Sequence, residues 1–147
     1  MAARREFLAS TAALLAAPWT PARAAQGDFD AALRALTFGA PLGDGRVQLR
    51  TPRLADNGLS VPLEVRVDSP MTPADHVLRI ALLSDRNPRA LIASFGIGPF
   101  AGRAMVTTRV RLSGSQRVWA LAQLSDGSWW QDSAEVEVTE SACLDTP

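Results

Sequence analysis

The chain has 147 residues, a hydrophobic fraction of 47% and a charged fraction of 20%, the make-up of one globular domain with a core of its own. Its formal net charge is zero, which excludes the electrostatic footprint of a nucleic-acid binder or of a protein drawn to an anionic membrane. With one cysteine and one histidine, it excludes an internal disulfide and a His/Cys metal cluster.

Met1-Ala2-Ala3-Arg4-Arg5-Glu6-Phe7-Leu8 is a charged start with paired arginines. The apolar run 9–17 follows, then Pro18-Trp19-Thr20-Pro21-Ala22-Arg23-Ala24, which ends in an Ala-x-Ala pattern. That order reads as an export signal over residues 1–24, with an apolar part too short to cross a bilayer. Arg4-Arg5 ahead of Phe7-Leu8 resembles the twin-arginine signal, which exports folded proteins. The expected location is periplasmic, with no membrane attachment after cleavage at Ala24. A free thiol in an oxidising compartment is open to capture, so a lone cysteine there calls for a reason.

Residues 25–45 read as a short helix and a linker. Phe29, Ala32, Leu33 and Leu36 fall at helical spacing, with Asp28 as the expected N-cap and Gly39 as the stop. Pro41, Gly43 and Gly45 break the chain. Over 46–140 the period changes to two. Val47, Leu49 and Thr51 alternate with polar residues, and Asp56-Asn57-Gly58 reads as a turn. Val61, Leu63, Val65 and Val67 face one way, with Glu64, Arg66 and Asp68 facing the other. Pro70 and Pro73 mark a loop. Residues 77–83 are apolar enough for a strand buried on both faces, although periodicity alone leaves a helix open. Asp85-Arg86-Asn87-Pro88 is a turn, 91–95 a short strand, and 105–112 another alternating one. Residues 118–124 and 129–138 flank Ser125-Asp126-Gly127-Ser128, a strong hairpin signal. Trp129 and Trp130 point to opposite faces, so one at most is expected in the core, the other being exposed, covered by a partner or half-buried at a sheet edge. The sum is an all-β chain of about seven strands, an immunoglobulin-like β-sandwich preceded by a short helix.

Residues 141–147 hold Cys143. A tail from Glu140 can carry a thiol roughly 10 Å from the body. Glu140, Asp145 and the terminal carboxylate disfavour the thiolate, so activation is expected from a partner. His76 stands alone at a loop-to-strand junction. A Cys143–His76 pair would need the two side chains within hydrogen-bond reach, which nothing in the sequence demands. Ser113-Gly114-Ser115 lacks the strand–turn–helix setting of a serine nucleophile, and Gly96, Gly98 and Gly102 open no helix that could bind phosphate. No catalytic residue, metal site or cofactor is expected.

The chain resembles the SoxY family, sulfur-carrier subunits of the periplasmic thiosulfate-oxidising system. The likeness rests on Asp56-Asn57-Gly58 with Val61-Pro62-Leu63-Glu64-Val65, on Val67-Asp68-Ser69-Pro70-Met71-Thr72, on Asn87-Pro88 and on Ala93-Ser94-Phe95. It continues through Thr107-Thr108-Arg109-Val110-Arg111-Leu112 and Leu124-Ser125-Asp126-Gly127 to Val136-Glu137-Val138-Thr139. The resemblance implies a sandwich paired with a second small subunit, SoxZ, and a C-terminal arm whose cysteine carries sulfur as a covalent adduct. Enzymes of the system then load, oxidise and hydrolyse that adduct. Cys143 falls at the carrier position. The family's arm is usually Gly-Gly-Cys-Gly-Gly, whereas here Ser141, Ala142, Leu144 and Asp145 flank the cysteine and Thr146-Pro147 follow. These side chains stiffen the arm and would hinder entry into narrow tunnels. Two other readings stand beside the carrier. One is an interaction sandwich whose tail cysteine is incidental or disulfide-linked to a partner. The other is a small thiol enzyme using Cys143 and His76.

Overall fold

The computed structural model describes residues 21–140. One helix, α1 (Pro21–Thr37), precedes nine strands. These are β1 (Leu42–Asp44), β2 (Val47–Arg50), β3 (Leu54–Asn57), β4 (Val61–Val67) and β5 (Val77–Ser84), followed by β6 (Leu91–Gly96), β7 (Met105–Val110), β8 (Gln116–Leu124) and β9 (Trp129–Glu140). A single 3₁₀ turn, Pro99–Ala101, joins β6 to β7. The large sheet runs β1-β9-β8-β5-β6, with β3 also paired to β9, and the small sheet runs β2-β4-β7. This is the expected immunoglobulin-like sandwich behind a helix.

Burial follows the alternation where one face is wet. Val61, Leu63, Val65 and Val67 are buried and Pro62, Arg66 are exposed. They pack with Ile80, Leu82, Val118, Ala120 and Ala122 of the facing sheet, forming the main core. Strand β5 is indeed a strand, and from Ile80 to Ser84 every residue is buried. Ala81, Leu83, Leu121 and Trp129 face away from the second sheet and lie under α1 through Phe29, Ala32, Leu33 and Leu36. Phe29 meets Trp119 edge to face at 5.0 Å between ring centroids, a favoured aromatic geometry.

Several local expectations are corrected. The helix does not start at Asp28. It begins at Pro21 and runs through Gly27, leaving Asp28 exposed within it. Proline is tolerated in a first turn, and the alanines that follow are strong helix formers that outweigh one glycine. The helix does end near Gly39, where Phe38 and Gly39 both take left-handed φ values of 54° and 76°. The linker contains β1, and Asp56-Asn57 belong to β3, so the turn is displaced to Gly58 and Leu59. Both short strands were invisible because each is held by pairing in parallel to β9 rather than by its own pattern. Trp129 and Trp130 are both packed within the chain. Trp129 is buried under α1, and Trp130 lies half-buried against the main core, with the Arg46 guanidinium 5.5 Å from its ring centre. Only Trp129 is in the core, as expected, and Trp130 is the half-buried one.

The β8–β9 hairpin turns through Gly127 at φ 84°. The Asp126 carboxylate accepts hydrogen bonds from the Ser128 hydroxyl at 2.6 Å and the Ser128 N–H at 2.9 Å. These bonds hold its pKa below the usual aspartate value, with the charge of Arg46 adding a little against slight desolvation.

Two outcomes check this account. A Cβ added to Gly43 would lie 2.8 Å from the Trp130 ring, whereas one on Gly96 would meet nothing within 4 Å. Gly43→Val should therefore cost about 1–3 kcal/mol in urea unfolding through overpacking, and Gly96→Ala should stay within about 0.5 kcal/mol. An NMR titration should place Asp126 below an ordinary aspartate. Because the folded value is the lower one, its contribution to stability is present above the unfolded-state pKa and is lost as pH falls through the folded one. Asp126→Asn should remove that step.

Candidate functional site: the root of the C-terminal segment

Cys143 and its neighbours Ser141, Ala142, Leu144 and Asp145 lie outside the described residues, as do Arg4 and Arg5. The structure does define where the segment that bears Cys143 leaves the body. Strand β9 pairs with β8 from Trp129 to Val136. Beyond that point its other edge takes over, with β3 lying parallel as Leu54, Ala55 and Asn57 oppose Glu137, Val138 and Glu140. The Glu137 N–H donates to Arg53 O at 2.8 Å, and the Thr139 hydroxyl donates to Asp56 O at 2.8 Å. Gly58 N–H donates to the last described carbonyl, Glu140 O, at 3.0 Å. Gly58 O in turn accepts Leu112 N–H at 2.8 Å, so one residue bridges the root to the end of β7. Ser115 clamps the strand from the other side. Its Oγ accepts Val138 N–H at 2.9 Å and donates to Val138 O at 3.4 Å. Ser115 is thus structural, in keeping with its rejection as a nucleophile.

A buried polar network stiffens this end of the sandwich. Ser84, fully buried, donates to Gln116 Oε1, and its Oγ accepts the Asn87 N–H at 2.9 Å. Gln116 Nε2 donates to Asn87 Oδ1 at 3.1 Å and to Gly114 O at 3.0 Å. Asn87 also accepts Ser113 N–H at 3.0 Å and donates to Arg111 O at 2.8 Å. No buried side-chain nitrogen or oxygen among the described residues is left unpaired, so the network avoids the penalty of an orphaned polar group. The sequence showed Asn87-Pro88 as a turn, but not that Ser84 and Gln116 point inward to meet it.

His76 is at the opposite end. Its Nδ1 lies 3.0 Å from Thr72 O, and its N–H donates to Ser125 Oγ at 3.1 Å beside the β8–β9 hairpin. The 12 residues of β9 put roughly 35 Å between that hairpin and Glu140. Cys143 is three residues beyond Glu140, a reach of about 10 Å. His76 lies farther from Glu140 than that reach within one chain, which counts against the Cys143–His76 pair. Among the described residues, no three His, Cys, Asp or Glu side chains converge as metal ligands would.

The surface of the described residues carries two concavities of some size. One, of about 500 Å³, is lined by Phe29, Trp119 and Val136 and carries the Arg117–Glu135 ion pair. The other, of about 540 Å³, lies where β6 and β7 form the open side of the sandwich. Neither gathers the acid–base or nucleophilic groups of a catalytic centre.

Fold and root together describe a sandwich whose last strand is held as far as Glu140. The family model of sulfur oxidation protein SoxY matches residues 34–143, from the helix to the cysteine itself. The chain belongs to the SoxY family of sulfur oxidation proteins. Among solved structures it is similar to the sulfur carrier protein SoxY from Chlorobium limicola f. thiosulfatophilum, at TM-score 0.64 and 24% identity over 77% of this chain and 97% of that one. It is also similar to a superoxide reductase (neelaredoxin) from Ignicoccus hospitalis, at TM-score 0.58 and 17% identity over 64% and 80%. A putative superoxide reductase from Thermotoga maritima matches at TM-score 0.55 and 21% identity over 68% and 89%. These structural likenesses are of fold. No curated protein matches the sequence.

If the clamp fixes the root, Ser115→Ala should free the end of β9. Hydrogen exchange at Val138–Glu140 should quicken by the equivalent of about 0.5–1.5 kcal/mol, with the amides of β5 unchanged.

Proposed function

We propose that this chain carries an intermediate of sulfur oxidation as a covalent adduct on Cys143, in the periplasm, beside a second small subunit of the SoxZ kind. The family match running to Cys143 carries the reading. The geometry supports it. The segment starts from a residue pinned at Gly58, and Cys143 comes three residues later. The like charges that flank Cys143 in the sequence, Glu140 and Asp145, disfavour the thiolate, so activation falls to a partner enzyme. Export through a twin-arginine signal at Arg4-Arg5 would deliver the sandwich already folded.

The chemistry that fits is disulfide formation. Joining the Cys143 sulfur to the outer sulfur of thiosulfate makes one S–S bond and releases a proton and two electrons, so the loading enzyme must pass two electrons to an acceptor. Water then cleaves the bond to the sulfonate sulfur. Sulfate leaves and a persulfide stays on Cys143. Both steps belong to partner enzymes, and the sandwich contributes presentation.

Purified protein incubated with the sulfur-oxidising enzymes and thiosulfate should gain the mass of a bound thiosulfate on Cys143, removable by reductant. Cys143→Ser should gain none. An unmodified wild-type chain, or an equal gain in the variant, would end the carrier reading.

A further inference from the structure

Two strands on the open side of the sandwich are sheet edges, since β6 pairs only with β5 and β7 only with β4. The hydrogen bonds that continue each pair show which backbone groups face outward. Val67 N–H donates to Ala104 O at 2.9 Å, so the β4–β7 ladder bonds fall at Val65↔Val106, Leu63↔Thr108 and Val61↔Val110. The N–H and C=O of Thr107 and Arg109 therefore point away from β4, where no strand among the described residues pairs with them. Ile97 N–H donates to Leu78 O at 2.9 Å, and the same count along β5–β6 turns the backbone of Ser94 outward. The outer edge of β9 is covered by β1 and β3, whereas these two edges are bare. Strand β7 contains neither a proline nor a register shift, devices that commonly blunt an edge.

Both edges line one concavity of about 540 Å³. Ile92, Ala93 and Thr108, all half-buried, supply part of its wall, and Leu91 is 42% exposed there. Arg89, Arg109 and Arg111 also line it, and no acid does. Among the described residues none of these arginines forms an ion pair, and Glu64, on the outer face of the neighbouring strand β4, is already held by Arg66 at 2.6 Å. Side chains alternate along β7, so Arg109 stands on the exposed face while Thr108, opposite Leu63, faces inward. A strand added to β7 is therefore read with a period of two, arginine on one side and half-buried apolar surface on the other. A second copy of this chain, docked edge to edge about a two-fold axis, would set the same cationic patch against itself. We infer that the β7 edge takes up an extended segment of a different chain in which carboxylates alternate with apolar side chains. The carboxylates pair with Arg109 and Arg111, the apolar side chains cover Ile92 and Ala93, and main-chain bonds form at Thr107 and Arg109. This interaction goes beyond the carrier reading and stands without it.

The probe is a capped, fluorescein-labelled peptide alternating Glu with Val, added to the full chain. Fluorescence anisotropy should show it binding about tenfold more tightly than a peptide alternating Lys with Val. A Glu–Val peptide N-methylated throughout keeps every side chain but has no N–H to give the edge, and should bind about tenfold more weakly. Arg109→Gln with Arg111→Gln removes exposed charges without touching the core. It should weaken the Glu–Val peptide roughly three- to tenfold, the range of two exposed ion pairs, and added salt should narrow that difference. Hydrogen exchange at Thr107 and Arg109 should slow when the peptide is bound, with the amides of β9 unchanged. No binding of the Glu–Val peptide, or equal binding of its Lys or N-methylated counterpart, would overturn the inference. So would protection of β7 on concentrating the chain alone, which would give the edge to a second copy. Thiosulfate loading of Cys143, read by intact mass on the same preparations, reports the carrier reading separately.

Discussion

The outer edge of β9 is where this fold has to be solved. A 12-residue strand one place in from the sheet edge needs its outward N–H and C=O groups satisfied along its length. No single strand does this. Strand β1 pairs with Trp129–Gln131 and β3 with Glu137–Glu140, both in parallel. In the gap between them the Asp132 carboxylate reaches across to the other sheet and accepts Leu49 N–H at 2.7 Å. A carboxylate accepting a backbone N–H makes a charge-assisted bond, stronger than a neutral one. The patchwork protects the edge from pairing with another chain and keeps β9 regular as far as Glu140. The opposite side of the sandwich has no such cover. The molecule is therefore asymmetric, closed at the edge that bears the root and open at β6 and β7.

Covering both faces of the large sheet gives the root its stiffness. The second sheet buries Ile80, Leu82, Val118 and Ala122, while α1 buries Ala81, Leu83, Leu121 and Trp129. Each large aliphatic side chain removed from water stabilises the fold by about 1.5–3 kcal/mol. The fully buried set includes Ile80, Leu82, Leu83, Leu121 and Leu124. Strands β5 and β8 are thus held from both sides. β9, hydrogen-bonded to β8 in register from Gln123↔Trp129 to Gln116↔Val136, inherits that rigidity.

What could be read from residues alone follows the same division. Strands β4, β5, β7, β8 and β9 carry their own period, and each was legible from its apolar pattern. Strands β1 and β3 carry none, being three and four residues held by a neighbour, and were read as linker and turn. Alternation correctly gave Trp129 and Trp130 opposite faces with one of them in the core, but not that a layer covers both faces. The Ser84–Gln116–Asn87 network and the arginine groove join residues more than twenty positions apart. No local pattern announces them. The separation of Glu140 from His76 was equally hidden, because it depends on the direction in which β9 crosses the molecule. The resemblance to a carrier family was visible because it is spread over the order of many short pieces.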